Sequence, residues 1–115
     1  MPESLAQRNL LRHLTWRMPS GQEIARDMGV DPLSRADAAE LSPLGAGFDR
    51  STPLWYYVLR EAEVVYDGLH LGPVGGRIVA EVILGLLRAD RHAYLSAAPH
   101  ARWSRRSRKP RGAPP

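Results

Sequence analysis

The stretch that decides the fold is LGPVGGRIVAEVILGLLRAD, residues 71–90. We predict a helix that begins at Gly72-Pro73 and ends near Ala89. Apolar side chains recur nearly all round this helix, at Val74, Ile78, Val79, Val82, Ile83, Leu86 and Leu87. A helix that is apolar on all sides is typical of a buried position, so other segments would have to cover it.

Three glycines lie inside this helix, Gly75, Gly76 and Gly85. Each costs roughly 1 kcal/mol of helix propensity compared with alanine. We therefore expect another backbone to pack closely against these positions. Arg77 and Glu81 have the i,i+4 spacing of an ion pair on a helix surface.

The two segments at the start of the chain have the spacing of capping boxes, in which a serine and a residue three positions later bond to each other's backbone. Ser4 with Gln7 predicts the start of a first helix that ends before Pro19. Ser20 with Glu23 predicts the start of a second helix, and the following Gly29 is expected to end it. A connector of residues 30–48 follows.

Within the connector, Ser34 and Asp37 predict one short helix at residues 36–41. The next helix begins at Thr52-Pro53, a cap followed by proline at the first helical position, and ends near Asp67. Its broad apolar face comprises Leu54, Trp55, Val58, Leu59, Ala62 and Val65. A hairpin of residues 64–66 with 69–71 across Asp67-Gly68 is the alternative, but the chain as a whole predicts an all-α fold.

Composition limits the classes of site. Apolar residues make up 43% of the 115 residues, which is ordinary for a globular chain, and cysteine is absent. Disulfides, thiolate metal sites and a thiol nucleophile are therefore excluded. The longest apolar stretch is too short for the ~20 residues of a membrane-spanning helix. No signal peptide is visible, so we expect a cytoplasmic protein.

The net charge of +4 is unevenly distributed. Residues 102–111 carry six of the sixteen basic residues and no acid, so ten basic residues face all twelve acids in the rest of the chain. From residue 97 onward the chain is rich in arginine and proline and lacks periodicity, and we predict disorder at residues 97–115. Six bases could bind nucleic-acid phosphates, but a solvated basic end is the favoured interpretation.

No catalytic or metal motif is present. The glycines of LGPVGG do not have the spacing of a phosphate-binding loop, and the four histidines are scattered without a second ligand nearby. We assign no catalytic residue and no metal ligand. Asn9 and Arg12 are the candidates that remain, because their i,i+3 spacing places them on the same side of the first helix. There they either face solvent or address one buried ligand or partner.

The order of segments resembles the C-terminal part of the animal-type haem peroxidase superfamily, in its bacterial branch. The resemblance runs collinearly from about Ser4 to Leu95, through RNLLRHLTWRMPSGQEIARDMG, STPLWYYVLREAEV and LGPVGGRIVAEVILGLLRADRHAYL. It implies a mostly α-helical fold around a haem, with residues 1–96 as the C-terminal helical portion of the domain. The complete family member would carry out peroxide-dependent oxidation or fatty-acid oxygenation.

The resemblance also implies roles for the two polar residues. Asn9, ten residues before Pro19, matches a family asparagine that bonds the outer ring nitrogen of the proximal histidine. Arg12 matches a family arginine that pairs with a haem propionate, for which a guanidinium is well suited. Trp55, Tyr56, Tyr57 and the helix at residues 74–87 would belong to the core.

The family's distal histidine, distal arginine and proximal histidine motifs lie upstream of the matched region and are absent from this chain. The axial ligand is therefore not in this sequence. We expect a truncated product, a subunit of a split gene with the upstream peroxidase portion as its partner chain, or a misplaced start codon. Alone, the chain should expose apolar surface and have no peroxidase turnover. The alternative is a small helical interaction protein whose basic tail binds nucleic acid or an acidic partner.

Overall fold

A computed structural model describes residues 4–94 of the chain. Within this range the protein is all-α, as the sequence predicts. Four α-helices are present, α1 (Leu5–Thr15), α2 (Gly21–Asp27), α3 (Leu54–Tyr66) and α4 (Pro73–Ala89), and a 3₁₀ helix spans Ala39–Leu44. None of the described residues is in a strand, so the alternative hairpin is wrong. The predicted disordered tail lies outside the described residues.

The chain divides into two compact units, Met1–Val82 and Ile83–Pro115. The first contains α1, α2, the 3₁₀ helix, α3 and the first part of α4. In the second, α4 ends and a short turn follows, in which the Asp90 side chain accepts a hydrogen bond from the His92 backbone N–H at 2.8 Å. No helix in residues 4–94 is both long and apolar enough to cross a membrane.

The capping box of α2 is confirmed. The Glu23 backbone N–H donates to the Ser20 hydroxyl, and the Glu23 carboxylate accepts from the Ser20 backbone N–H at 2.8 Å. This backbone bond holds the pKa of Glu23 below its ordinary value. Gly29 follows α2 with a left-handed φ of 70°, as expected for a residue that ends a helix. The box predicted for α1 is wrong, because the Ser4 side chain makes no capping bond.

The connector differs from its prediction. Ser34 and Asp37 do bond to each other's backbone, at 3.0 and 3.2 Å, but these bonds close an isolated turn. The helix follows that turn instead of starting in it, at Ala39–Leu44, and is of the 3₁₀ type. A side chain that bonds to its own local backbone competes with helix formation there, which accounts for the shift.

Thr52 does not cap α3, contrary to prediction, and Pro53 occupies the cap position. The Thr52 hydroxyl is engaged elsewhere, since it donates to the Phe48 carbonyl and accepts from the Gln22 amide, both at 2.8 Å. The Thr52 backbone N–H in turn donates to the Gln22 amide oxygen at 2.9 Å. These buried bonds join the start of α3 to α2.

The core lies where α2, α3 and the start of α4 meet. Ala25, Tyr57 and Val74 are completely buried, and the partly buried side chains around them are Ile24, Met28, Val30, Leu33, Val58 and Ile78. The Tyr57 hydroxyl accepts a hydrogen bond from the Leu33 backbone N–H at 3.0 Å. Trp55 and Tyr56, also predicted as core, are only half-buried.

The corner between α3 and α4 is held by a buried carboxylate. Glu61 accepts hydrogen bonds at 3.1 Å from the backbone N–H groups of Val74 and Gly75 in the first turn of α4. These N–H groups have no partner within the helix, and a negative charge is favourable at that end. Gly72 leaves room for the carboxylate, because a Cβ there would lie 2.5 Å from Glu61 Oε2.

The prediction that α4 is buried on every side is wrong. Only Val74 and Gly75 are buried, while Val79 and Val82 are 44% and 57% exposed. The described chain offers no segment that covers the remaining faces. The exposed apolar surface expected of the chain alone is thereby confirmed.

The close backbone packing expected at the glycines of α4 is not found at Gly75 or Gly85. A Cβ at Gly75 would lie 3.0 Å from the Cβ of Val58, so the close neighbour is a side chain and not a backbone. A Cβ at Gly85 would meet no described atom within 4 Å. The ion pair between Arg77 and Glu81 is confirmed, with 2.7 Å between its nitrogen and oxygen.

Candidate functional site

The two site residues predicted from sequence are brought together on α1. Arg12 Nη1 donates a hydrogen bond to Asn9 Oδ1 over 3.2 Å. Residues three positions apart lie next to each other on a helix surface, so the contact between these two side chains follows from their spacing. Arg12 is exposed and Asn9 is half-buried, so the pair lies at the edge of the molecule and not in its core.

Both residues line a cavity of about 300 Å³ in the first compact unit. The rest of the wall is apolar and comes mainly from α3 and α4. Its residues are Met18 between α1 and α2, Leu71 before α4, and Leu54, Trp55, Val58, Gly75, Ile78 and Val79. The polar residues of the wall all belong to α1. The cavity therefore has an apolar body and one polar edge.

His13 is the third polar residue of the wall. The Leu54 backbone N–H, at the start of α3, donates to its Nδ1 over 3.4 Å. This bond joins α1 to the start of α3.

Sequence reasoning treated His13 as an isolated histidine and missed its place in this cavity. The signal was its spacing, because residues 9, 12 and 13 are separated by three and four positions and share one side of a helix. His70 and His92 are not part of the wall.

The glycine at position 75 leaves space in the cavity next to Val58. Any side chain there would press on Val58, whose Cγ1 would lie 3.2 Å from an added Cβ. The neighbouring core residue Val74 is completely buried, and the Glu61 carboxylate fixes the backbone at both positions. The α3 and α4 walls are thus held by the best-packed part of the protein.

The α1 wall is held less firmly. None of the residues in α1 is buried, and Leu11 and Leu14 are 48% and 69% exposed. Its contacts are with α3, supported by the hydrogen bond from Leu54 to His13.

Within residues 4–94, no three histidine, aspartate or glutamate side chains are grouped so that they could hold a metal ion. Comparisons of the chain with protein-family models, with curated proteins and with solved structures found no match. An apolar wall with a guanidinium and an amide at one edge suits a ligand that has an apolar body and an anionic group.

Proposed function

We propose that the chain forms the C-terminal part of a haem peroxidase-like domain and contributes one wall of its haem site. The observation that carries the proposal is the cavity, with Asn9 and Arg12 together at its polar edge. Their spacing places the two residues on one side of a helix, and the resemblance in sequence gives each of them a role toward a haem. Both residues line the cavity, which supports a shared role for them.

The residues present fit part of a haem. Its flat ring is apolar and suits the wall that includes Trp55 and Val79, and its propionates suit the guanidinium of Arg12. At about 300 Å³ the cavity is at the lower limit for ligand pockets, so the rest of the ring would have to be covered from outside this chain. His13 is not assigned as the axial ligand, because it lies after Asn9 in the sequence, whereas the family's proximal histidine lies well upstream.

Asn9 can still accept the second hydrogen bond that the proposal requires. An amide oxygen has two lone pairs, and Arg12 occupies one of them. The second can accept from the outer ring nitrogen of an axial histidine supplied by another part of the domain, and such a bond fixes the orientation of the ring. Arg12 would then hold a propionate while its other N–H group keeps the Asn9 amide in place.

When bound, the haem supplies the peroxide-dependent oxidation or fatty-acid oxygenation of the family. The chain's own contribution is to bind, orient and shield the ring on one side. We therefore expect the isolated chain to turn over peroxide no faster than free haemin does. The upstream portion of the domain would be its partner.

The test is a haemin titration of the purified chain, followed by the Soret absorption band. We expect a saturable shift near one equivalent, and a several-fold higher half-saturation concentration for Asn9→Ala and for Arg12→Ala. Matched controls are Gln7→Ala, which removes an exposed amide from the same helix, and Arg50→Ala, which removes an exposed arginine outside the cavity wall.

An equal shift in all five proteins would mean that haemin binds to exposed apolar surface, and would contradict the proposal. A chain that shows no saturable shift would contradict haem binding by these residues. Turnover well above that of free haemin would contradict the prediction that the chain alone is inactive.

A further inference from the structure

The polar edge of the cavity has an unbalanced charge. Among the described residues, Arg12 is the only charged member of the wall, and it forms no ion pair with any described carboxylate. Its one described partner is the neutral oxygen of Asn9. The guanidinium has five N–H donors, so most of them remain available to an anion at this edge.

Asn9 is the neighbour of this guanidinium, and its amide oxygen is the atom bonded to Arg12. No aspartate or glutamate is among the described residues of the wall. A guanidinium without a carboxylate beside it favours a carboxylate ligand over an amine or a neutral acceptor.

The size of the cavity indicates how large an apolar body it can hold by itself. A volume of about 300 Å³ corresponds to roughly ten water-sized groups, since one water occupies ~30 Å³ in the liquid. The half-buried ring of Trp55 lies in the wall and offers an aromatic surface. A ligand with about ten heavy atoms and one aromatic ring would fill the space.

We propose that this cavity binds a small carboxylic acid with an apolar, aromatic body, held by Arg12 and Asn9 at the polar edge. The inference goes beyond the proposed function, because it requires neither haem nor an upstream chain. It rests on the size of the cavity and on the guanidinium of Arg12, which has no carboxylate beside it among the described residues of the wall.

The probes are 3-phenylpropionate, 3-phenylpropan-1-ol and 3-phenylpropylamine, which share one apolar body and differ in the end group. Binding is followed by NMR through the Asn9 side-chain amide, which is easily assigned because Asn9 is the only asparagine in the sequence, and by calorimetry. We expect the acid to bind about tenfold more tightly than the alcohol, as one charge-assisted hydrogen bond would give, and the amine to bind most weakly.

Two variants test the two parts of the site. Arg12→Gln should bring the affinity for the acid down to that for the alcohol, while Arg50→Gln should leave it unchanged. Val79→Phe adds bulk to the apolar wall and should weaken all three probes several-fold. Its control is Val82→Phe, at an exposed position of α4 outside the wall. Backbone amide spectra establish that each variant is folded.

Equal affinities for acid, alcohol and amine would overturn the inference, as would a full response in Arg12→Gln or the absence of a response in the folded wild type. The result is separable from the haem experiment. Acid-selective binding without a haemin shift supports this inference and contradicts the proposed function, whereas a haemin shift without acid selectivity does the reverse.

Discussion

Two parts of the first compact unit differ sharply in how far their residues are buried and hydrogen-bonded within the chain. Where α2, α3 and the start of α4 meet, side chains and backbone groups are buried and paired within the chain, including Tyr57, Glu61 and Val74. In α1, by contrast, no residue is buried, and leucines face solvent. We call the first region the closed corner and the second the open helix.

The comparison indicates which contacts belong to the chain itself. The closed corner joins segments far apart in sequence, as in the bonds between Gln22 and Thr52. The open helix has an amphipathic pattern whose apolar side is not covered by the described residues. An exposed apolar face of this kind is where a contact with another molecule or segment would be expected.

The largest expected effect concerns Gly21 in the closed corner. A Cβ at this position would lie 1.9 Å from Cγ of Tyr57, which is itself completely buried. We expect Gly21→Ala to lower the free energy of unfolding by about 3 kcal/mol or more, the upper range for overpacking of a core. Chemical denaturation followed by circular dichroism measures it.

Gly85→Ala is the matched control for the same substitution. A Cβ there meets no described atom within 4 Å, so alanine should stabilise α4 by roughly 0.5–1 kcal/mol through its better helix propensity. A Gly21→Ala protein as stable as wild type would show that the closed corner is looser than its contacts indicate.

Glu61 provides the next largest effect. Glu61→Ala removes the acceptor of two buried backbone N–H groups at the start of α4, and a buried donor without a partner costs about 1–3 kcal/mol. We expect a loss of about 2–3 kcal/mol in the free energy of unfolding. Glu63→Ala is the control, because that carboxylate is 65% exposed and pairs with Arg60 at the surface; its loss should cost less than about 1 kcal/mol.

The same contrast explains what the sequence could and could not predict. Helix positions follow from local signals, such as the Ser20–Glu23 capping box and the proline at the start of α4, and these were confirmed. The prediction that Thr52 caps α3 was wrong, because its hydroxyl bonds to a residue thirty positions away. Local spacing carries no information about such a partner.

The candidate site shows the same limit. The spacing of Asn9 and Arg12 predicts that they are neighbours, and the structure brings them together. The cavity beside them depends on residues from α3 and α4, which no local pattern brings to α1. The burial of α4 was predicted wrongly for a related reason. An apolar pattern indicates that a helix face is usually buried against other residues, but it does not indicate whether this chain supplies those residues.

A smaller effect separates two adjacent tyrosines in α3. Tyr57→Phe removes the buried acceptor of the Leu33 N–H and should cost about 1–2 kcal/mol. Tyr56 donates to the exposed carboxylate of Glu40, so Tyr56→Phe should cost less than about 0.5 kcal/mol. Denaturation of both variants against wild type measures the difference. Equal losses would contradict the division between core and surface that their burial indicates.

The same pair predicts the behaviour at high pH. Burial raises the pKa of both phenols, that of Tyr56 to about 12. Folding thus favours the neutral form, so the stabilisation is complete below the ordinary tyrosine pKa of about 10 and is lost as the pH rises through the raised value. Unfolding measured between pH 9 and 12 should show this decline in wild type and a weaker one in Tyr57→Phe.

The smallest effect on stability is expected in the open helix. Leu14 is 69% exposed, so Leu14→Gln removes little buried area and should change the free energy of unfolding by no more than about 0.5 kcal/mol. The substitution should nevertheless reduce self-association, because exposed apolar surface drives contact between molecules. Sedimentation velocity at several concentrations measures this, with Gln7→Ser on the same helix as the control. If Leu14→Gln instead unfolds the protein, α1 is packed in solution against something that the described residues do not supply, and the open helix is closed by another part of the molecule or by a second copy.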